Sequence, residues 1–489
     1  MTAADTSAAP EPKGRLETST KLFYGLGSVA FGVKDNGFSY LLLLFYNQVI
    51  GLPASQVALA LTLALIFDAF MDPLIGYASD NLHSRWGRRH PFMYAAALPV
   101  ALGYMALWNP PHWDPQALFW YLVVLSLVIR TFISFYEVPS SALAAEFTSG
   151  YDDRSTLLSY RVFFAWIGGL SIQFLAFAVL LKPDATHPVG QLNPAGYARY
   201  GLIAACIMFV AILVSAAGTH RHIPTMRPPP PRRKLTLAQS AKEMRETLSN
   251  RAFLFILASS IATAIAGGLV ASMNGYFNTY FWGFSANQIA GFTLGVFLSA
   301  FMGLALGPRL SRWLGKRRSA MTLLLLAVAI LSTPIILRLM NLVPANGSPV
   351  IFWIIMVTSI LGTACAIVAG AMSASMVADV VEVGELRTGR RSEGVYFAAS
   401  SFVSKAVSGF GVLGAGVLID TIGLKTGMAP DQVPLDVLRH MALIYLPVVI
   451  GLYLVGLLLL FGYDITRSSH AATLRTLSEK GGEGASRDA

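Results

Sequence analysis

Asp68 and Asp72 stand one helical turn apart inside the apolar stretch Ile66-Phe67-Asp68-Ala69-Phe70-Met71-Asp72-Pro73-Leu74-Ile75-Gly76. At i and i+4 their carboxylates share a helix face, and in low dielectric two such charges cannot both stay ionised without a counter-charge. Sodium or lithium would meet that need through carboxylate and hydroxyl oxygens, a proton by neutralising one acid; fixed cationic neighbours are the plainer alternative. Ser134 and Glu137, at i and i+3 in Thr131-Phe132-Ile133-Ser134-Phe135-Tyr136-Glu137-Val138-Pro139, place a hydroxyl for a cation shell beside an acid that can face a cavity. Pro139 removes one helix hydrogen bond and permits bending there. Arg130, two turns before Glu137, is a candidate to neutralise it within the same helix. In Lys34-Asp35-Asn36 successive side chains diverge by about 100°, so Lys34 and Asp35 are not expected to pair. Asp35 therefore needs another partner, and a carboxylate accepting two hydroxyls is a common way to hold a sugar. Lys405, in Ser400-Ser401-Phe402-Val403-Ser404-Lys405, is the one clear midspan charge of the second half, and the unmatched acids all lie in the first. It is the natural electrostatic bridge between the halves.

These charges matter because of where they sit. Of 489 residues, 55% are hydrophobic and only 13% charged, with a mean hydropathy of +0.58; a soluble chain carries about a quarter charged residues. Twelve apolar stretches are long enough to cross a hydrocarbon core, which takes about 20 residues each: 22–50, 55–79, 91–109, 117–147, 157–182, 199–217, 252–282, 287–308, 319–340, 349–379, 394–420 and 438–463. None shows the short alternating strands of a barrel, so the expected fold is an all-α integral membrane protein. A charge at the middle of such a span costs about 2.5–3.5 kcal/mol on insertion scales, which makes each one a functional candidate.

Lysine and arginine set the orientation. Twenty-eight fall on the side bearing both termini and five on the other, so both termini are expected in the cytoplasm. The net charge of +10 is then a topology signal, and nucleic-acid binding is not expected. Residues 1–21 form a polar tail without the apolar core of a signal peptide, leaving the first span as the expected targeting signal. Residues 218–251 form a linker with four consecutive prolines, Pro228 to Pro231, and a helix-like stretch from Leu235 to Leu248; residues 464–489 form a second tail. Six spans (22–217), a linker and six spans (252–463) is the plan of transporters that hold their substrate between two bundles near the bilayer midplane. Cys206 and Cys365, far apart in apolar runs, offer neither a disulfide framework nor a CxxC metal site. HExxH, GxSxG with triad partners and a Walker loop are all missing, so no enzyme is expected.

Asp68-Ala69-Phe70-Met71-Asp72-Pro73-Leu74-Ile75-Gly76, followed by Ser84-Arg85-Trp86-Gly87-Arg88-Arg89-His90-Pro91, resembles the glycoside–pentoside–hexuronide:cation symporters (melibiose permease-like) of the major facilitator superfamily. Lys34-Asp35, Met376-Val377-Ala378-Asp379-Val380-Val381-Glu382 with Gly384-Glu385, and Ser392-Glu393-Gly394-Val395-Tyr396 leading to Lys405 extend the likeness over nearly the whole chain. The resemblance implies that Asp68, Asp72 and Ser134 bind the coupling cation, a metal site if that cation is sodium. It also implies that Asp35, Glu137 and Arg161 face the sugar and that Lys405 neighbours the cation site, where it belongs to both the substrate and the coupling sets. No further cofactor is implied; the partners are a small sugar, a monovalent cation and the bilayer, and the carrier is expected to work as a monomer in the plasma membrane, a bacterial inner membrane.

Two positions depart from the family pattern. The span-four acid is Glu137 where the family's melibiose carriers have aspartate, and Ser141 stands where a tryptophan can stack on a galactoside. An aromatic face contributes dispersion contacts to a sugar ring, so Tyr40, Tyr136 or Trp166 is expected to take that part. Arg85, Arg88 and Arg89 are expected to form a gate, capping helix ends or pairing with Asp80 and with Asp379, Glu382 or Glu385 to close the cytoplasmic face. The rival cargo is a lysophospholipid or other amphipathic molecule, carried by relatives of this family in animals and suited to a cleft lined by Phe and Met.

Overall fold

The computed structural model describes residues 16–148, 151–225, 246, 248–388, 393–465 and, in the tail, 469, 470, 472, 473, 475 and 476. Most of the helix-like stretch expected in the linker, as well as Arg390 and Arg391, lies outside these. The described residues form an all-helical protein. The first helical stretch is built of α1 (Thr18–Leu26), α2 (Ser28–Asn36), a π-helical turn (Gly37–Leu41), α3 (Leu42–Leu44) and a second π-helical turn (Phe45–Val49). After it come α4 (Ala54–Asn81), α5 (His90–Leu107), α6 (Pro115–Phe147), α7 (Tyr151–Leu175) and α8 (Pro194–His220). The second half holds α9 (Arg251–Tyr276), α10 (Ala286–Leu314), α11 (Lys316–Leu339), α12 (Pro349–Thr388), α13 (Glu393–Thr421) and α14 (Leu435–Leu459). Eleven helices, α4 to α14, are long and apolar enough to cross a membrane. The first stretch was expected as one span; its pieces are each shorter than a span because a turn at Gly27 and the two i→i+5 turns interrupt the α pattern, the latter a local widening common at functional sites.

Local chemistry fixes the helix starts. The Asp114 carboxylate accepts from the N–H groups of Gln116 and Ala117 at 3.1 Å, with Pro115 at the first helical position. Asn193 and Pro194 do the same for α8, and Asn250 caps α9. Between α4 and α5 the chain makes a tight turn: Gly87 takes a φ of +72°, and the Ser84 hydroxyl donates to the Gly87 carbonyl at 2.7 Å.

Packing brings the halves together along α4 and α13. Small residues let the backbones approach: a Cβ on Gly416 would stand 2.5 Å from the Ala54 carbonyl oxygen, and one on Gly411 2.0 Å from the Ile265 carbonyl oxygen of α9. Helix α13 is thus pressed between α4 of the first half and α9 of its own half. The Thr62 hydroxyl donates to the Gly409 carbonyl at 2.7 Å, and the Phe70 and Phe402 rings meet edge-on at 5.1 Å.

The two ends of the molecule differ. At the end away from the termini, Asp420 accepts from the N–H groups of Ala54 and Ser55 at 3.0 and 2.9 Å, so the second half caps a helix of the first. Beside it the Tyr276 hydroxyl donates to Asn47 and the Tyr280 hydroxyl to Gln48, each at 2.9 Å, and the Gln191 amide donates to the Phe284 carbonyl at 2.6 Å. At the basic end, by contrast, the following ion pairs join residues of the same half. Arg88 and Arg89 bind Glu146 at 2.7 and 3.0 Å, and Arg89 binds Asp80 at 2.5 Å. Asp379 binds Lys316 at 2.5 Å and the Tyr463 hydroxyl at 3.2 Å, and His470 of the tail binds Glu382.

Candidate functional site

Two adjoining features occupy the space between the halves: a compact charged cluster and a cavity of about 750 Å³. The cluster is built by α4, α6 and α13. Asp68 and Asp72 project from one face of α4, where Pro73 withholds the N–H that would otherwise bond the Ala69 carbonyl. Ser134 of α6 donates toward both acids, with Oγ 3.0 Å from Asp68 Oδ1 and 2.6 Å from Asp72 Oδ1. Arg130, one turn before it, donates to Asp68 Oδ2 at 3.2 Å while its guanidinium lies 4.9 Å from the centre of the Phe38 ring. Lys405 reaches across from α13 to Asp72 Oδ2 at 2.5 Å and to Asp68 Oδ2 at 3.5 Å.

Two carboxylates thus face two fixed cations and one hydroxyl. The arrangement is balanced without any added ion, and it is held across the two halves by a single side chain. Asp68 is buried, whereas the Asp72 side chain is 23% exposed and that of Lys405 28% exposed. The Asp72 and Lys405 side therefore borders accessible space.

The cavity lies beside this cluster. From the first half its walls include Asp35, Tyr40, Glu137, Arg161 and Trp166; from the second they include Asn274, Asn278, Phe292, Met356 and Ser359. Arg161 is anchored by donating to the Ser140 hydroxyl at 2.7 Å and the Glu137 carbonyl at 3.0 Å, and it stacks over Phe31 at 5.0 Å. One wall therefore presents carboxylates and a guanidinium, the groups that hold hydroxyl-rich molecules, and the other presents amides among apolar side chains.

Several expectations need correction. Tyr136 does not face the cavity: it is fully buried within the first half, its hydroxyl bonded to Ser215 at 2.8 Å. Gly27 makes room for it, since a Cβ there would stand 1.6 Å from the tyrosine oxygen. Lys34 and Asp35 do pair, at 2.5 Å, because the flexible four-carbon stem of a buried lysine curls around the helix and overcomes the angular separation. Arg130 pairs with Asp68 across the helix contact and not with Glu137 along its own helix. Lys405 belongs to the charged cluster and is not among the described residues lining the cavity. The gate is assembled only in part: Arg89 pairs with Asp80 as expected, but Arg88 and Arg89 otherwise bind Glu146, while Asp379 and Glu382 are engaged by Lys316 and His470 in the other half. Arg85 is exposed in its turn. The described acids at this end are thus satisfied by basic groups of their own half.

Sequence reading missed Arg130 as a partner of the acid pair and overlooked Gln173, Asn274 and Asn278 in the cavity wall. Amides within apolar spans were the available signal. Asn274 and Asn278, one turn apart and bonded to each other at 2.9 Å, are the clearest case. Among the described residues, no group of three or more His, Cys, Asp or Glu is placed to hold a metal ion.

Comparison with known proteins agrees with this architecture. Residues 23–467 match the family model described as MFS/sugar transport protein. The chain is similar to the isoprimeverose transporter of Lactiplantibacillus pentosus, at 24% identity over 94% of this chain and 92% of that protein. It is similar to the putative glycoside/cation symporter YagG of Escherichia coli, at 23% identity over 95% of each, and to the sodium-dependent lysophosphatidylcholine symporter 1 of Gallus gallus, at 22% identity over 96% and 90%. Among solved structures, a bacterial homologue of the human lysosomal transporter Spinster, described as inward-facing and unoccupied, superposes with a TM-score of 0.61 at 14% identity over 91% of this chain and 96% of that one. A helical membrane protein whose two halves enclose a cavity, matched by this family model over nearly its whole length, is no enzyme: the chain belongs to the MFS/sugar transport family.

Proposed function

We propose that the protein is a secondary active transporter that couples symport of a sugar, a glycoside, pentoside or hexuronide, to sodium or proton movement by alternating access. It would have twelve spans with both termini in the cytoplasm, counting the interrupted stretch from Thr18 to Val49 as the first, and lie in the plasma membrane. The observation that carries the reading is Lys405 bridging the halves onto Asp68 and Asp72 beside a cavity walled by both.

A cation entering between Asp68, Asp72 and Ser134 would find hard oxygen donors and would displace Lys405. Sodium fits that donor set, and a proton would neutralise Asp72. Freed from the acids, Lys405 no longer ties α13 to α4, and the loaded halves can rock past each other. With the cation gone, the lysine returns to the acids and the empty carrier can reset. Asp35, Glu137 and Arg161 would hold the sugar hydroxyls, with Trp166 or Tyr40 as the apolar face. Coupling between the two ligands must be reciprocal, so each should tighten the other.

The test is uptake of labelled glycosides, pentosides, hexuronides and a lysolipid into proteoliposomes under imposed sodium, lithium or proton gradients in turn. Accumulation of a sugar under one gradient is the expected result. Accumulation of the lysolipid alone would favour the second reading, to which the apolar residues of the cavity's second wall and the avian relative lend weight.

A further inference from the structure

A second cavity, of about 280 Å³, lies inside the second half between α9, α11, α12 and α14. It has two wall residues in common with the main cavity, Val270 and Leu331, so the two spaces adjoin. No charged side chain is among its described lining residues. Three of its seven side-chain hydroxyls are donated to backbone carbonyls, Ser259 to Gly456 at 2.8 Å, Thr263 to Ser259 at 3.0 Å and Ser373 to Ala369 at 3.1 Å, while Ser260, Ser332, Tyr445 and Tyr453 complete the set in the wall. A hydroxyl donated to a nearby backbone carbonyl presents mainly its carbon to the cavity, and with Ile256, Val270, Leu324, Leu331 and Ile335 around them the wall is mainly apolar with a few hydroxyls set into it. The room comes from small residues, with Ala366, Ala369 and Gly370 together on α12.

We propose that this side cavity receives the hydrophobic aglycone of a glycoside whose sugar occupies the main cavity, so that the cargo is an aryl or short-alkyl glycoside. The proposal rests on the sugar-carrier reading above and adds the part of the substrate that the reading leaves open. Charge is distributed accordingly: Asp35, Glu137 and Arg161 all stand on the first-half wall, and the side cavity adjoins the opposite wall at Val270 and Leu331. A molecule with hydroxyls at one end and a ring or chain at the other satisfies both. Size agrees as well, since an apolar cavity of about 150 Å³ stays dry and accepts benzene, and this one is nearly twice that. A long acyl chain exceeds it.

The experiment uses the purified full-length protein with sodium present and measures binding of methyl, propyl and phenyl glycosides of glucose, xylose and galactose by calorimetry. Wild type is compared with Gly370→Leu and Gly370→Ala. Gly370 lines the side cavity and a Cβ there meets nothing within 4 Å, so the alanine methyl fits without displacing a neighbour and leucine starts from an open position. The expected result is that one sugar's phenyl glycoside binds at least tenfold tighter than its methyl glycoside. Gly370→Leu should cut that gain below threefold, with the methyl glycoside within twofold of wild type, and Gly370→Ala should fall between. If methyl and phenyl glycosides bind alike, or if the phenyl gain survives Gly370→Leu, the aglycone site is wrong and the sugar reading stands. If no glycoside binds, both fall.

Discussion

Replacing Lys405 by alanine tests whether the lysine and the coupling cation compete for the same acids. At 2.5 Å from Asp72, the attraction is about 7 kcal/mol before desolvation at an effective dielectric near 20. Most of that is offset by the cost of holding the ammonium away from water, and the net stabilisation surrendered when a cation enters is on the order of 1–3 kcal/mol. Removing the lysine leaves Asp68 and Asp72 with Arg130 alone, one negative charge in excess. A cation then no longer has to displace anything, and the Kd for sodium should fall roughly 10- to 100-fold, every 1.4 kcal/mol being a factor of ten. The assay is sodium titration of purified wild type and Lys405→Ala by calorimetry, repeated with lithium and across pH 5.5 to 8 so that proton coupling is seen as uptake of a proton instead. In proteoliposomes the same variant should retain sugar exchange while net uptake falls, because the empty carrier has lost the charge that neutralises its acids on return. Unchanged or weakened cation affinity in a folded Lys405→Ala protein would refute the competition.

Other outcomes follow from particular contacts. Asp72→Cys removes one carboxylate from the pair and should weaken or abolish cation stimulation of sugar binding while leaving some sugar binding, read from a sugar titration with and without sodium. Arg161→Lys loses the two-pronged hold on Ser140 and the Glu137 carbonyl and the planar stack on Phe31; sugar Kd should rise about 10- to 100-fold with cation affinity little changed, since hydrogen bonds from a charged group contribute about 1.5–3 kcal/mol. Tyr136→Phe should leave coupled sugar binding within about twofold, because its ring packs away from the cavity, whereas Gly27→Ala should lower the melting temperature sharply in a thermal scan by forcing a methyl against the Tyr136 oxygen. Burial, reinforced by Arg221, holds His222 below its ordinary value of 6.5 while its ring bonds Thr20 at 2.9 Å. A depressed histidine is neutral in the native state, so its contribution is present above pH 6.5 and fades as pH falls toward the native pKa. Melting temperature should therefore drop more between pH 7.5 and 5.5 in wild type than in His222→Asn.

The sequence by itself determined the class of molecule and the rows on which its chemistry sits. Hydropathy and length forced helices that satisfy their own backbone in lipid, and the rarity of charge in those spans singled out Asp68, Asp72, Ser134, Glu137 and Lys405. Helical spacing put the two aspartates on one face and Ser134 near Glu137, because those are relations within a single element. Tertiary structure decided which element faces which. Arg130 turns to Asp68 across a helix contact, Lys34 curls onto Asp35, Tyr136 packs inward over Gly27, and the basic loop binds Glu146 in its own half. None of these follows from periodicity, since each depends on the rotation and distance of a neighbouring helix, on the reach of a flexible side chain, or on which end of the two bundles is closed. Amides such as Asn274 and Asn278 were visible in the sequence as polar exceptions, but only the meeting of the halves turned them into a cavity wall.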